Sequence, residues 1–285
     1  MDPITLSVVI PAFNEEAVIG PCLEALGSQI DEIDEIVVVD NNSTDATAEI
    51  AGGIDDAHDK VRVISELEPG LIPARNTGIG AAKFEIVARI DADTIVEPGW
   101  ADAIRSFFGS ADPAFAAALG PFTQYDMPLQ GIHRLIMGAA AGSKGDTGVK
   151  EVSGLYGANM VIRKTAWDEI ATSLNEGQGI WEDLDISLSL AAAGYKMALI
   201  DGMRARVSGR RMQNSRRLYW EYTASLPRTL RLHGKPGQAR LSWISVLLSR
   251  TMYLVFWIPS RTYDPNTRRH SFRRLFEKTE ERIIP

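Results

Sequence analysis

The residues best suited to chemistry are acidic and grouped. Asn14-Glu15, Asp40 and Asp91-Ala92-Asp93 each stand just after a short apolar run, and Glu182-Asp183, next to Trp181, opens a stretch of helical spacing. Carboxylates are the ligands that a hard divalent cation such as Mg²⁺ or Mn²⁺ selects. A carboxylate within hydrogen-bond reach of a hydroxyl also takes its proton as a general base. Because it only accepts hydrogen bonds, it suits a ring N–H as well. Arg75 adds a guanidinium, which grips a phosphate or a carboxylate. Each position also has a plainer reading. Glu182, Asp183 and Asp185 suit the first turn of a helix, and Asn41-Asn42-Ser43 suits a turn. Asp91-Ala92-Asp93 can be a polar loop, Arg75 a surface ion pair and Phe13 a core residue.

The framework decides between these readings. Leu6–Ile10 and Ile36–Val39 are apolar runs of buried-strand length, and Val61–Ile64 and Glu85–Ile90 read as a third and a fourth strand. Between the first two, Ala17–Leu26 carries Val18, Ile19, Leu23 and Leu26 on one helical stripe. A second helix is expected from the cap Ser43-Thr44-Asp45 through Ile50, and a third over Leu71–Lys83 despite Pro73, Gly78 and Gly80. Such alternation predicts parallel βαβ units. Ligands of these sheets bind beyond the carboxyl ends of the strands, so the three acidic groups are expected along one sheet edge. Further on, Pro98–Phe108 and Leu184–Ala193 read as helices, and Phe115–Leu119, Met160–Ile162 and Lys196–Ile200 as strands. Gln124–Gly148 reads as a long Gly-, Ala- and Met-rich connection.

Taken in order, these stretches resemble the inverting family 2 glycosyltransferases of the GT-A fold. The matching segments are Ser7–Glu16, Val38–Asp45, Ala74–Gly78, Ile90–Asp93 and Trp181–Asp183, spread over roughly residues 6–200. The resemblance implies an α/β, Rossmann-like domain whose mainly parallel central sheet is flanked by helices. It implies transfer of a sugar from a nucleotide-diphosphate sugar, a UDP-sugar favoured, to an acceptor hydroxyl with inversion. By the same resemblance Asp93 is the metal ligand, and Asp91, with Ala92 beside it, lies near the ribose or a metal-bound water. The cation, Mg²⁺ or Mn²⁺, neutralises the departing diphosphate. Asp40 accepts a hydrogen bond from the base, which Pro11, Ala12 and Phe13 cradle, while Glu15 approaches the ribose and Arg75 the phosphate or Asp40. Asp183 is the general base supported by Glu182, with Asp185 as the substitute. Gly157, Ala158 and Asn159 line the donor-sugar pocket, and a basic loop with Arg210 or Arg211, or else Arg216 or Arg217, closes over the diphosphate. Trp181, beside the acidic pair, suits either stacking on a sugar ring or plain packing.

Charge is unevenly spread. The 285-residue chain has a net charge of −7, yet residues 201–285 carry 18 Lys and Arg against 6 Asp and Glu, so a net +12 sits on a body of −19. Residues 1–215 are expected to form the transferase domain, with a nucleotide-binding half at 1–93 and an acceptor and catalytic half at 94–215. Residues 216–285 form a helical basic extension. Within it, Leu241–Ile258 is apolar, has Trp243 and Trp257 near its ends and Arg240 and Arg261 at its flanks, and is interrupted by Arg250. That central charge argues against a membrane span. The pattern suits an interfacial helix on an anionic membrane, or a helix packed on the domain or in a homodimer. Arg268–Arg274 adds to the basic surface. The expected acceptor is a saccharide or a lipid-linked molecule. The single cysteine, Cys22, and a start at Met1-Asp2-Pro3 without a basic-then-apolar pattern fit a cytoplasmic protein, peripheral on the inner face of the membrane.

The alternative is a sugar-nucleotide-binding protein or a nucleotidyltransferase. Nucleotidyltransferases of this layered plan open with a glycine-rich basic loop, whereas Pro11–Glu16 is acidic and free of glycine. No G-x-G-x-x-G follows the first strand, against a dinucleotide oxidoreductase. No nucleic-acid-binding motif accompanies the basic region, so nucleic acid is not an expected partner.

Overall fold

The structure is a computed structural model that describes residues 3–55, 59–127, 149–264, 267 and 269–276. Strands β1 (Leu6–Ala12), β2 (Glu35–Asp40), β3 (Val61–Ser65) and β4 (Ile86–Ile90) pair in parallel in the order β3-β2-β1-β4. Helices α1 (Ile19–Gly27), α2 (Thr47–Asp55) and α3 (Leu71–Ala81) connect them. β1 is buried along its whole length, as a strand covered on both faces must be. Leu6, Val8 and Ile10 pack with Ile19, Leu23 and Leu26 of α1, while Val9 packs with Val37, Val39 and, from α3, Ala74 and Ile79. Gly78, which weakens α3 as a helix sequence, is where α3 meets the sheet. A Cβ there would collide with Val9 and lie 2.8 Å from Val39 Cγ2.

The second half extends the same sheet. β5 (Ile95–Val96) and α4 (Trp100–Ser110) precede β6 (Phe115–Leu119), β7 (Phe122–Gln124), β8 (Glu151–Val152) and β9 (Asn159–Arg163). α5 (Lys164–Ile170), α6 (Glu182–Ala192), β10 (Lys196–Leu199) and β11 (Ala205–Val207) follow. β9 lies antiparallel between β4 and β6, giving an eight-stranded, mainly parallel sheet ordered β3-β2-β1-β4-β9-β6-β10-β8. A small sheet, β5-β11-β7, forms beside it. The expected strands and helices of the first 200 residues are present, with ends shifted by a few positions. Among the described residues beyond 215, α7 (Arg216–Leu232) packs on α8 (Pro236–Thr262), and a short turn at Phe272–Phe276 packs on α8 in its turn. Most of the Gln124–Gly148 connection, and Arg268, lie outside the described residues.

Candidate active site

Three loops meet at the carboxyl edge of β1, β2 and β3. The loop after β1 turns at Asn14, in the left-handed region (φ 52°). Its backbone N–H groups at Asn14 and Glu15 donate to Ser43 Oγ at 3.1 Å and Thr47 Oγ1 at 2.7 Å. The loop after β2 turns at Asn42 (φ 60°). Asn41 Nδ2 donates to the carbonyls of Glu66 and Glu68, and its Oδ1 accepts from Gly70 N–H at 2.8 Å. Asn41 and Asn42 thus perform the turn role their types predict and hold the loop after β3. Asp40 is half-buried, and its Oδ1 accepts from Ser43 N–H at 3.3 Å. These loops border a cavity of about 760 Å³ whose wall includes Pro11, Ala12, Phe13, Glu15 and Asp91. Gly157, Ala158, Trp181, Glu182, Asp183, Arg210 and Arg211 line it as well.

The acidic groups are joined by two arginines. Arg210 Nη2 lies 2.5 Å from Glu15 Oε1, 2.6 Å from Glu15 Oε2 and 2.9 Å from Asp93 Oδ2. Asp93 is only 2% exposed, deeper than a polar surface loop would hold it. Arg89, from β4, is buried; its Nη2 is 2.8 Å from Asp91 Oδ1 and its Nη1 3.2 Å from Glu182 Oε1. One guanidinium therefore connects the acidic pair after β4 to the first turn of α6. Gly157 makes room for it, since a Cβ there would run into Arg89 and lie 3.2 Å from Glu182 Oε1.

Asp183 accepts from Leu184 N–H at 2.8 Å and Gly157 N–H at 3.3 Å. Burial, and after it the charge of Glu182, push its carboxyl from the ordinary 3.8 up to about 6. Such a group is mostly ionised at neutral pH and still basic enough to accept a proton, which is what a general base requires. Asp185 faces elsewhere: it accepts from Asn175 N–H at 2.9 Å and contacts His233 Nε2 at 2.6 Å.

A cation fits among these residues. Among those described, no three or more His, Cys, Asp or Glu form a ligand cluster. The oxygens of Glu15 and Asp93 nevertheless converge on a single positive nitrogen. A hard cation held by one or two carboxylates completes its shell with phosphate oxygens and water, the usual arrangement for Mg²⁺.

Some expected residues lie away from the cavity. Arg75 is 0% exposed, and its partners are Asn76 Oδ1 at 2.7 Å and the Glu182 carbonyl at 3.4 Å, with its guanidinium over Trp167. It contacts neither Asp40 nor the cavity, correcting the expectation of a phosphate or Asp40 contact; it supports the start of α6 from beneath. Ala92 is buried in the core. Asn159 is also buried and bonds Trp100 Nε1 and the Met203 carbonyl, each at 2.9 Å, so it ties β9 to its neighbours rather than lining the donor-sugar pocket. Trp181 Nε1 donates to the Tyr222 carbonyl at 2.9 Å. Arg211 lies 4.3 Å over the Tyr222 ring, and Arg216 and Arg217 are exposed on α7, off the cavity wall. Wall residues that escaped the sequence reading include Arg89, Tyr156, Asn214, Tyr222 and Ser225. Only Arg89 carried a signal, as the lone charge inside an otherwise apolar strand.

The sequence and the fold have counterparts among known proteins. The family model described as Glycosyl transferase family 2 matches residues 7–170. The chain is 40% identical over 98 residues to the glycosyltransferase AglE of Haloferax volcanii, covering 33% of this chain and 32% of that protein. It is 36% identical over 112 residues to the succinoglycan biosynthesis protein ExoO of Rhizobium meliloti, covering 39% and 31%. The match thus spans about a third of the length of these curated relatives. Among solved structures, the chain resembles the mannosyltransferase PcManGT of Pyrobaculum calidifontis in complex with GDP-Man and Mn²⁺, at 18% identity and a TM-score of 0.59, over 90% of this chain and 76% of that one. It also resembles glucosyl-3-phosphoglycerate synthase of Mycobacterium tuberculosis in complex with Mn²⁺, UDP-glucose and phosphoglyceric acid, at 21% identity and a TM-score of 0.56, over 82% and 81%. These structural likenesses establish the GT-A fold.

Proposed function

The chain belongs to glycosyl transferase family 2, and on that premise we propose that it moves a sugar from a nucleotide-diphosphate sugar, with a UDP-sugar favoured, to an acceptor hydroxyl with inversion. The observation that carries the reading is the single cavity that Glu15 and Asp91 line together with Glu182 and Asp183, with Arg89 bonded to Asp91 and Glu182. Residues 1–93 hold the nucleotide, residues 94–215 supply the base and the acceptor side, and residues 216–285 form the helical extension.

The loop Pro11–Glu15 and Asp40 take the base and ribose, the Asp40 carboxylate matching the ring N–H of a uracil. Asp93 would hold a divalent cation, with Asp91 close by, and the cation would supply charge neutralisation for the departing diphosphate. Arg210 and Arg211 are the side chains on the wall that can follow that charge as it develops. Asp183 takes the proton of the acceptor hydroxyl as its oxygen attacks the sugar carbon from the face opposite the diphosphate, which inverts that centre. Glu182, fixed by Arg89, keeps Asp183 basic. Gly157 and Ala158 leave space for the sugar, and Trp181 and Tyr222 offer rings to a saccharide acceptor or the head of a lipid-linked one.

A thermal-shift screen of nucleoside diphosphates with and without Mn²⁺ tests the binding half of the reading. A ligand at 100 times its Kd stabilises by about 2.7 kcal/mol, so UDP with Mn²⁺ is expected to raise the melting temperature most. No shift with any nucleoside diphosphate overturns the donor assignment. Binding without release of sugar from any donor would leave a nucleotide-sugar-binding protein.

A further inference from the structure

We propose that α8 docks flat on an anionic lipid bilayer, its outward face in the acyl boundary and the surrounding arginines among the headgroups. The inward face of α8 is fully committed to the protein. Val246 and Tyr253 are buried, the Tyr253 ring stacks on Tyr219 at 4.3 Å, and its hydroxyl donates to the Asn214 carbonyl at 2.7 Å. Arg250, the charge that interrupts the apolar run, also turns inward: Nε donates to Thr223 Oγ1 at 3.0 Å and Nη2 to the Trp220 carbonyl at 2.9 Å.

The outward face is therefore left apolar. Leu241, Ile244, Leu247, Leu248, Leu254 and Ile258 are each 51–70% exposed and recur at the three- and four-residue spacing of one helix face. Only 17% of the most apolar part of α8 is buried within the protein. A short turn packed on α8 adds Phe272 and Phe276, exposed by 74% and 89%, with Arg273 between them. Continuous apolar surface of this kind on a soluble domain marks an interaction site.

Charge selects the partner. No Asp or Glu occurs between Glu221 and Asp264, while Arg240, Arg269 and Arg273 are exposed. A second copy packed through this face would bring like charges together with no acid on α8 to pair them. Anionic headgroups pair with all of them, each basic residue near such a surface adding to the attraction. A spanning helix is disfavoured, because it would carry Arg250 and the polar contacts to α7 into hydrocarbon. Between membrane and cavity stands α7, whose Tyr222 and Ser225 line the cavity while Trp220 and Thr223 hold Arg250. The cavity wall is thus one helix, roughly 10 Å, from the lipid.

The test is co-sedimentation of the full chain with phosphatidylcholine vesicles, with and without one third phosphatidylglycerol, alongside light scattering without lipid. The chain is expected to pellet with the anionic vesicles only, to be released by salt, and to be monomeric without lipid. Leu247→Glu with Leu254→Glu, at exposed positions, is expected to cut binding by about tenfold or more, and Arg240→Glu with Arg273→Glu to remove its salt dependence. Both variants should keep the parent melting temperature. Failure to pellet, or equal pelleting with neutral vesicles, overturns the proposal. So does a stable lipid-free dimer that the leucine substitutions dissociate. The inference uses no step of the proposed reaction, so its failure and that of the catalytic reading are separate outcomes.

Discussion

Arg210 spans the cavity to Asp93, its Nη2 2.9 Å from Asp93 Oδ2 while the same nitrogen touches both oxygens of Glu15. The two residues are far apart in sequence, one just after β4 and the other in the basic turn after β11. Their contact puts a protein cation where carboxylate oxygens converge, and a divalent ion would seek the same oxygens. Binding of a metal–nucleotide complex at these oxygens is expected to free this arginine.

The first prediction follows from that competition. Arg210→Ala removes the resident charge, so Mn²⁺ should bind the nucleotide-free protein more tightly, by about ten- to a hundredfold for a charge-assisted contact of about 1.5–3 kcal/mol. UDP binding with Mn²⁺ should weaken, because the guanidinium is then missing from the diphosphate. Isothermal titration reads both; unchanged Mn²⁺ affinity would place the cation elsewhere.

Asp93→Asn should abolish most transfer with little change in fold, since Asn keeps the shape and an acceptor oxygen for Arg210. A cation contributes several kcal/mol of charge stabilisation, corresponding to a loss of about 10³-fold in turnover. Full activity of the variant at low Mn²⁺ would exclude Asp93 as a ligand.

Asp183→Asn separates a base from a binding residue. Turnover should fall by about 10²–10⁴-fold with UDP affinity nearly unchanged. Stability should move the other way. The folded-state carboxyl is raised to about 6 from 3.8, so ionising it costs folding free energy that grows as pH rises between those values and is constant above them. The variant should melt higher than the parent at pH 7.5, and the gap should close as the pH falls toward 4. A lost UDP affinity at normal turnover would make Asp183 a donor ligand instead.

The parallel core was legible because β1 to β4 are short, β-branched, mostly apolar segments and each is followed by polar residues at the same sheet edge. The β5-β11-β7 sheet was not, since strands of two or three residues carry no periodicity. α7 was hidden by Pro227, which lacks the N–H a helix interior uses, and by its many arginines. At the site, residues that touch through local turns, such as Asn41 and Asn42, were readable. Arg75 and Asn159 were not, because only the packing of α3 against α5, where Trp167 lies under the Arg75 guanidinium, and the bond of Asn159 to Trp100 of α4 show that they face inward.

Glu182→Gln probes the coupling of the acidic pair. The charge of Glu182 is second to burial in raising Asp183. Its removal also frees Arg89 to favour the ionised Asp183 more strongly. The acid limb of kcat/KM, which reports the free enzyme's base, should therefore shift to lower pH than in the parent. Donor hydrolysis or transfer measured across pH 4.5–8 checks this; a limb that stays in place would show that a different group controls it.

Gly157→Ala is the sharpest test of the arginine link. The glycine has an ordinary backbone conformation, so alanine fits the chain and the effect is purely steric. Its Cβ would press on the Arg89 guanidinium, 2.9 Å from Cζ, and on Glu182 Oε1 at 3.2 Å. Arg89 is buried and gripped at both ends by Asp91 and Glu182, so it cannot swing into solvent as a surface arginine would. Overpacking of this kind costs about 1–3 kcal/mol, and the displaced guanidinium should loosen Glu182 and lower turnover together with stability. Arg89→Met shortens the obstructing side chain. The double variant should then recover part of the melting temperature lost by Gly157→Ala without recovering activity, because the bond between Asp91 and Glu182 is gone. Strictly additive stability losses in that cycle would mean the two residues do not press on each other.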